Sequence, residues 1–315
     1  MCSETSMTTD YLTRLLTFRE DTLPDLDEVV MGGLAYLGGL SLPQIDVTKH
    51  ARPLVVGSGN ALHTGKILFR KNDATCIEEG SFGEVLARGS HDAVYIVSAS
   101  GSKHAGSLAA EAVSKNIPVY LITTTADSPA EKLVGSEQTF VYPRIREPYT
   151  YNTSTYLGML FGNESVRPER VQNYIETVVE PLIGDLSAYR AFLMVVPASY
   201  ALVCPMYEIK FDELFGPYVL GRGTTTEGVK HAKTVITAPH QCIISFGETC
   251  QYGNPGNRLT IPLMEDCTYP ELIAIGYYVI GKIQKQHPPY FKDRIGAYTK
   301  ETSEMFGQTI PVIVE

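Results

Sequence analysis

The sequence predicts an α/β protein made of two doubly wound parallel-sheet halves behind an N-terminal helical extension, and three observations carry that prediction. Short, continuously apolar runs such as Val119–Thr124 (VYLITT) alternate with helical segments, the pattern of parallel strands covered on both faces. The pattern restarts after a helical stretch in the middle of the chain. The length of 315 residues suits two domains of ordinary size.

The elements follow in order. Residues 8–40 read as helical: Thr9 and Asp10 offer a cap, Leu12, Leu15, Leu16 and Phe18 form a stripe, and Pro24 breaks the run. Leu26–Leu40 forms a second helical stretch that contains the Gly32–Gly33 and Gly38–Gly39 pairs. Pro53–Val56 and Asp92–Val97 are strands that run into the small-residue loops GSGNALHTG and SASGSKHAG. Ser107–Ser114 is a helix, and Val119–Thr124 is the third strand. Residues 149–185 are mostly helical and connect the halves. Ala191–Val196, Pro217–Leu220, Cys242–Phe246 and Arg258–Pro262 then read as strands, with helices over Tyr200–Phe215 and Tyr269–Lys285. The expected segments are 1–48 for the extension, 49–165 for the first half and 166–315 for the second.

Composition narrows the partners. A net charge of −9 and a pI near 5.3 argue against nucleic acid and anionic membranes, while leaving room for one small phosphorylated ligand. The six cysteines form no CxxC pair and no Cys–His metal spacing, so reduced thiols in a cytoplasmic protein are expected. No basic, then apolar leader opens the chain, and no run reaches the ~18 apolar residues of a membrane span.

The segment richest in chemistry is VSASGSKHAG, residues 97–106. A strand delivers Ser98, Ser100, Gly101, Ser102 and Lys103 into a turn that opens directly into a helix. Helix N-termini present unpaired N–H groups and partial positive charge, and hydroxyls at alternate positions add donors around a tetrahedral anion. One serine would explain a helix cap; three serines with a glycine and a lysine point to phosphate.

With the preceding strand and the IPVYLIT that follows, this segment resembles the phosphosugar loop of the SIS (sugar isomerase) family. The upstream VVGSGNALHTG is similar to that family's first strand and loop, and REPYTYNTSTYLGML to the helix that closes its pocket. The likeness covers residues 50–165 well and the second half more weakly. It implies two flavodoxin-like SIS halves, a sugar-phosphate ligand held by Ser58, Asn60, Ser98, Ser100, Ser102, Lys103 and Glu147, and a homodimer. Three positions depart from the family pattern: Lys103 stands for a usual Thr, Ala99 for a common Gln, and Ala61 for a frequent Ser. His63 and His104 lie near these loops, where core or surface roles are the expectation.

In the second half, Lys210 and Glu213 stand three apart on a helix and so share a face. Their segment resembles the one that carries a Lys and an enolising Glu in phosphosugar isomerases, with His231 of VKHAK in the place of the ring-opening His. Spacing alone would also fit an ordinary surface ion pair. The resemblance implies aldose–ketose isomerisation of a hexose or amino-hexose phosphate through an enediolate, with no cofactor and no metal. An amino-sugar-phosphate deaminase, a fructosamine-phosphate deglycase and a non-catalytic phosphosugar-binding regulator are the alternatives. A lysine near the C-terminus also reaches the pocket in relatives, and Lys292 and Lys300 are both candidates.

Overall fold

The structure, a computed structural model, describes residues 4–102 and 104–315. The chain divides into two compact units, one of Leu40–Arg144 with Ser154–Ser165, the other of Met1–Gly39, Ile145–Thr153 and Val166–Glu315. Residues 4–39 group with the unit that holds Val166–Glu315.

Helix α1 (Glu4–Thr17) already runs through Thr9 and Asp10, so the helix does not start at the cap read there. Helix α2 (Leu26–Gly38) begins at a capping box, in which Glu28 Oε2 accepts from Asp25 N at 3.0 Å. Its Gly32 is explained by packing, because a Cβ there would lie 2.7 Å from Leu15 Cγ of α1.

The first sheet holds β1 (Pro53–Gly57), β2 (Thr75–Glu78), β3 (Ala93–Val97), β4 (Val119–Thr123) and β5 (Thr139–Val141), all parallel, in the order β2-β1-β3-β4-β5. Helices α3 (Asn60–Leu68), α4 (Phe82–Ala87), α5 (His104–Ser114) and α6 (Glu131–Val134) connect the strands. β1, β3 and β4 are buried along their whole length, as their unbroken apolar sequences require. Leu54, Val56, Val94, Ile96 and Leu121 pack with Ala105, Leu108 and Ala109 of α5 in one core. The edge strands β2 and β5 are short and partly exposed, so their mixed sequences TCIE and TFV give little signal.

Strand β6 (Glu147–Pro148), α7 (Thr153–Phe161) and α8 (Pro168–Tyr174) follow, and α8 continues through a π turn at Ile175–Val179. The second sheet contains β7 (Ala191–Val196), β8 (Leu220–Thr225), β9 (Gln241–Phe246) and β10 (Arg258–Ile261), parallel in the order β10-β9-β7-β8. Between them lie α9 (Cys204–Phe215) and the short α10 (Thr226–Val229). Helices α11 (Tyr269–Lys285) and α12 (Tyr290–Phe306) lead to β11 (Ile313–Val314), which pairs antiparallel with β6. α11 is buried over most of its length and opens at a capping box between Thr268 and Glu271. Among the described residues, no helix is long and apolar enough to cross a membrane.

One strand differs from its sequence reading. Pro217–Leu220 was expected to be extended, but the chain turns there after Gly216 (φ +51°), and the strand is Leu220–Thr225. Its sequence LGRGTT has poor strand propensity, and glycine is required because α9 presses on it. A Cβ on Gly223 would lie 2.6 Å from Cys204 Cβ and 2.7 Å from Cys204 O. Gly223→Ala is therefore expected to cost about 1–3 kcal/mol and lower the thermal midpoint. Gly256→Ala, with nothing within 4 Å of its Cβ, is expected to leave the midpoint unchanged.

Candidate functional site

β1 and β3 are neighbours whose connections leave toward opposite sides, β1 to β2 and β3 to β4. This is the switch point of a doubly wound sheet, where ligands bind beyond the strands' carboxyl ends. The two small-residue loops meet there. Gly57 has no room for a side chain, since a Cβ would sit 3.0 Å from Leu62 N and 3.2 Å from Val97 O. Ser58 is exposed and donates to Glu79 Oε1 at 3.2 Å. Asn60 is buried and its Oδ1 has no hydrogen-bond partner among the described residues; Thr64 Oγ1, one helical turn later, is in the same state. Thr64 was not singled out from the sequence, and its i, i+4 spacing from Asn60 was the available signal.

The second loop is held by its carbonyls. Ala99 O accepts from the hydroxyls of Thr123 (3.0 Å), Thr124 (2.9 Å) and Thr125 (3.1 Å). The peptide is trans, so the N–H of Ser100 points the opposite way. Ser102 Oγ donates to Ser100 Oγ at 2.7 Å, while Ser98 continues the strand and donates its N–H to Ile122 O at 3.0 Å. Gly101 takes φ +57°, and a Cβ there would overlap Ser128. Lys103 lies outside the described residues. His63 is half-buried, and desolvation with Lys66 nearby brings its pKa to about 4, so it is neutral at pH 7. His104 is exposed.

The other unit brings Lys210, Glu213 and Glu147 into one neighbourhood. Lys210 is not on the surface: its side chain is 0% exposed, against 24% for Glu213. Its ammonium donates to Glu213 Oε2 at 2.6 Å, Tyr151 O at 2.8 Å and Thr150 O at 3.3 Å, which uses all three donors. Tyr277 adds a ring face 5.3 Å away. The accepting turn is strained, with Thr150 at φ +75° and Asn152 at φ +45°. Glu147 is buried and fastens the far end of that turn by accepting from Thr153 N at 2.8 Å. Burial raises the pKa of Glu213, and Lys210 opposes the rise.

Glu213 lines a cavity of about 460 Å³ between α9 and α12. Its walls are mainly apolar, and they include Phe215, Phe291, Tyr298 and the stacked pair Tyr218–Tyr290, whose centroids are 4.3 Å apart. Thr150 lines it too, and its buried hydroxyl has no partner among the described residues. Arg294 is the cation in this wall. The sequence reading missed it, although Tyr290, Arg294 and Tyr298 recur every fourth residue along α12. The two C-terminal candidates fall elsewhere: Lys292 pairs with Asp25 at 2.7 Å, and Lys300 is exposed and outside the cavity wall. His231 is also outside that wall, exposed on the segment after α10, close in sequence to Val235 and Ile236, which are 77% and 88% exposed.

Asp25, Asp27 and Glu28 gather oxygens within 4.8 Å, the spacing of a metal site. Lys292, Lys285 and Arg14 pair with them, so the group reads as a charge network.

The fold of the two parallel sheets is similar to that of several solved structures. Tagatose-6-phosphate ketose/aldose isomerase from Escherichia coli matches with a TM-score of 0.59 at 12% identity, over 85% of this chain and 95% of that one. The C-terminal domain of glucosamine-fructose-6-phosphate aminotransferase from Francisella tularensis gives 0.55 at 12% identity, over 89% and 95%. Glucosamine-6-phosphate deaminase from Thermotoga maritima gives 0.53 at 13% identity, over 88% and 93%. No protein-family model and no curated protein matches the chain.

A buried ammonium held by one carboxylate and two carbonyls makes a clear stability prediction. Lys210→Met is expected to cost about 3–5 kcal/mol in urea unfolding, because it strips the partner from a largely enclosed carboxylate and leaves the Thr150 and Tyr151 carbonyls without their donor. Adding Glu213→Leu should recover part of that loss.

Proposed function

We propose that the protein is a phosphosugar isomerase that moves a proton between adjacent carbons of a hexose or amino-hexose phosphate. The observation that carries the reading is Glu213, a carboxylate with raised pKa in a cavity wall, oriented by a buried lysine whose donors are all occupied. Glu213 takes the proton from C2 of the open-chain aldose as the C1 carbonyl becomes an enediolate oxygen, the O2 hydroxyl proton passes to O1, and Glu213 returns its proton to C1, leaving the ketose. Lys210 acts as a positioning residue that fixes the carboxylate and the Thr150 turn. The β3–α5 loop, with Ser98, Ser100, Ser102 and Lys103, is the proposed phosphate anchor, and Ser58, Asn60 and Glu147 complete the proposed ligand set.

His231 is the proposed ring-opening group, acting in a homodimer. The bare Val235 and Ile236 beside it in sequence support this, since a second copy would cover them. A second reading, removal of an amine from an amino-sugar or fructosamine phosphate, is favoured by the cavity itself. Its apolar lining, with Arg294 as a cation beside Asp212 and Glu213, suits a sugar that carries an apolar amino-acid substituent ending in a carboxylate.

Glu213→Gln is expected to lower turnover by roughly 10²–10⁴-fold and leave phosphosugar binding nearly intact. A wild type that binds phosphosugars and turns none over would favour the regulator reading. Release of ammonia or a free amino acid would favour the second reading. The general base works ionised, and its pKa is raised, so the acid limb of kcat/KM is expected above the ordinary 4.5 of a glutamate. Lys210→Met should move that limb to still higher pH, because the ammonium favours the ionised form. Ser100→Ala should weaken sugar-phosphate binding about tenfold or more by calorimetry, the loss of one charge-assisted hydrogen bond. Ile236→Asp should shift a dimer toward monomer in light scattering.

A further inference from the structure

The second sheet has a switch point of its own. β7 lies between β8 and β9, and the chain leaves β7 toward β8 and β9 toward β10, so the connections part on opposite sides. Beyond the carboxyl ends of these strands lies a cavity of about 240 Å³, lined by Val195, Thr226, Val229, Lys230 and residues 248–252. Open α/β sheets bind ligands at this position. None of these residues lines the cavity beside Glu213.

The chemistry of the lining narrows the occupant. Val195, Val229 and Cys250 belong to a buried cluster with Leu193 and Ile243, so the floor is apolar. Around it stand the Thr226 and Thr249 hydroxyls, the Gln251 amide, the Glu248 carboxylate, the Lys230 ammonium and the Tyr252 ring. Lys230 shares its charge with Glu227 at 2.9 Å, at the outer edge. The loop is preformed: the Arg258 guanidinium donates to the carbonyls of Gln251 (2.6 Å), Tyr252 (2.8 Å) and Gly253 (2.6 Å). A carboxylate and an amide accept sugar hydroxyls, an aromatic ring takes the C–H face of a sugar, and an ammonium with two hydroxyls takes a phosphate. The volume lies below the roughly 300 Å³ at which drug-sized pockets begin, which suits a single monosaccharide.

We propose that this cavity is a second phosphosugar-binding site, separate from the site proposed for turnover. Its ligand places the phosphate on Lys230, Thr226 and Thr249 and its hydroxyls on Glu248 and Gln251. Binding there ties the loop after β9 to α10, directly ahead of the segment that carries His231.

Cys250, at the floor, supplies the readout. In the full chain, fructose 6-phosphate at ten times its dissociation constant should slow alkylation of Cys250 about tenfold, followed by mass spectrometry, with Cys242 and Cys267 as internal controls. The slowing should persist in Ser100→Ala/Ser102→Ala, which removes two hydroxyls of the first sheet's loop, and should vanish in Lys230→Ala/Tyr252→Ala. Inorganic phosphate alone and fructose alone should each protect less than the joined molecule; equal protection by phosphate alone would overturn the sugar assignment. Equilibrium dialysis gives the second measurement, whatever the reactivity of Cys250. Ser100→Ala/Ser102→Ala should still bind one fructose 6-phosphate per chain, and Lys230→Ala/Glu248→Gln in that background should bind none. No saturable binding in the loop variant, or binding indifferent to Lys230 and Glu248, overturns the proposal. A wild type without turnover would sink the isomerase reading and leave this binding untouched.

Discussion

A lysine ammonium sealed from water needs an acceptor for each of its three N–H groups, and the region around Lys210 is organised by that need. Glu213 supplies one acceptor from the same helix, three residues on. The other two are main-chain carbonyls of Thr150 and Tyr151, and a β-branched residue at φ +75° is an unfavourable conformation, of order 1–3 kcal/mol. The strain persists because the turn is tied at both ends: Glu147 holds Thr153 N, and β6 pairs with β11. One buried charge thus fixes a carboxylate, a strained turn and a cavity wall together.

The same economy of small residues governs both sheets. Gly57 in the first and Gly223 in the second sit where a neighbouring backbone atom occupies the space a Cβ would need. Gly101 in the loop after β3 combines a positive φ with the Ser128 side chain in the space a Cβ would need. Each sheet then opens a crevice at the strand ends where its connections diverge.

Much of the fold was legible because parallel strands buried on both faces must be apolar throughout. Runs such as AVYIV, VYLIT and CIISF cannot be anything solvent-facing. The edge strands were not legible for the converse reason: β2 and β5 bury little, and β8 contains two glycines that only the close approach of α9 makes necessary. Lys210 and Glu213 were legible as a pair sharing a helix face, yet spacing could not distinguish a surface ion pair from a buried one. Arg294 was hidden in a polar stretch of α12, where its four-residue spacing from tyrosines acquires meaning only when α9 lies opposite.

By itself the sequence determined the alternation of strands and helices, the two small-residue loops and the residue types that could hold a phosphate, because periodicity, propensity and backbone freedom are local properties. Tertiary structure decided which charges lost their water. That choice placed Lys210 in the interior, raised the pKa of Glu213, spent Lys292 on Asp25 and left His231 exposed. Desolvation depends on what packs around a group from distant parts of the chain, and no local pattern encodes it.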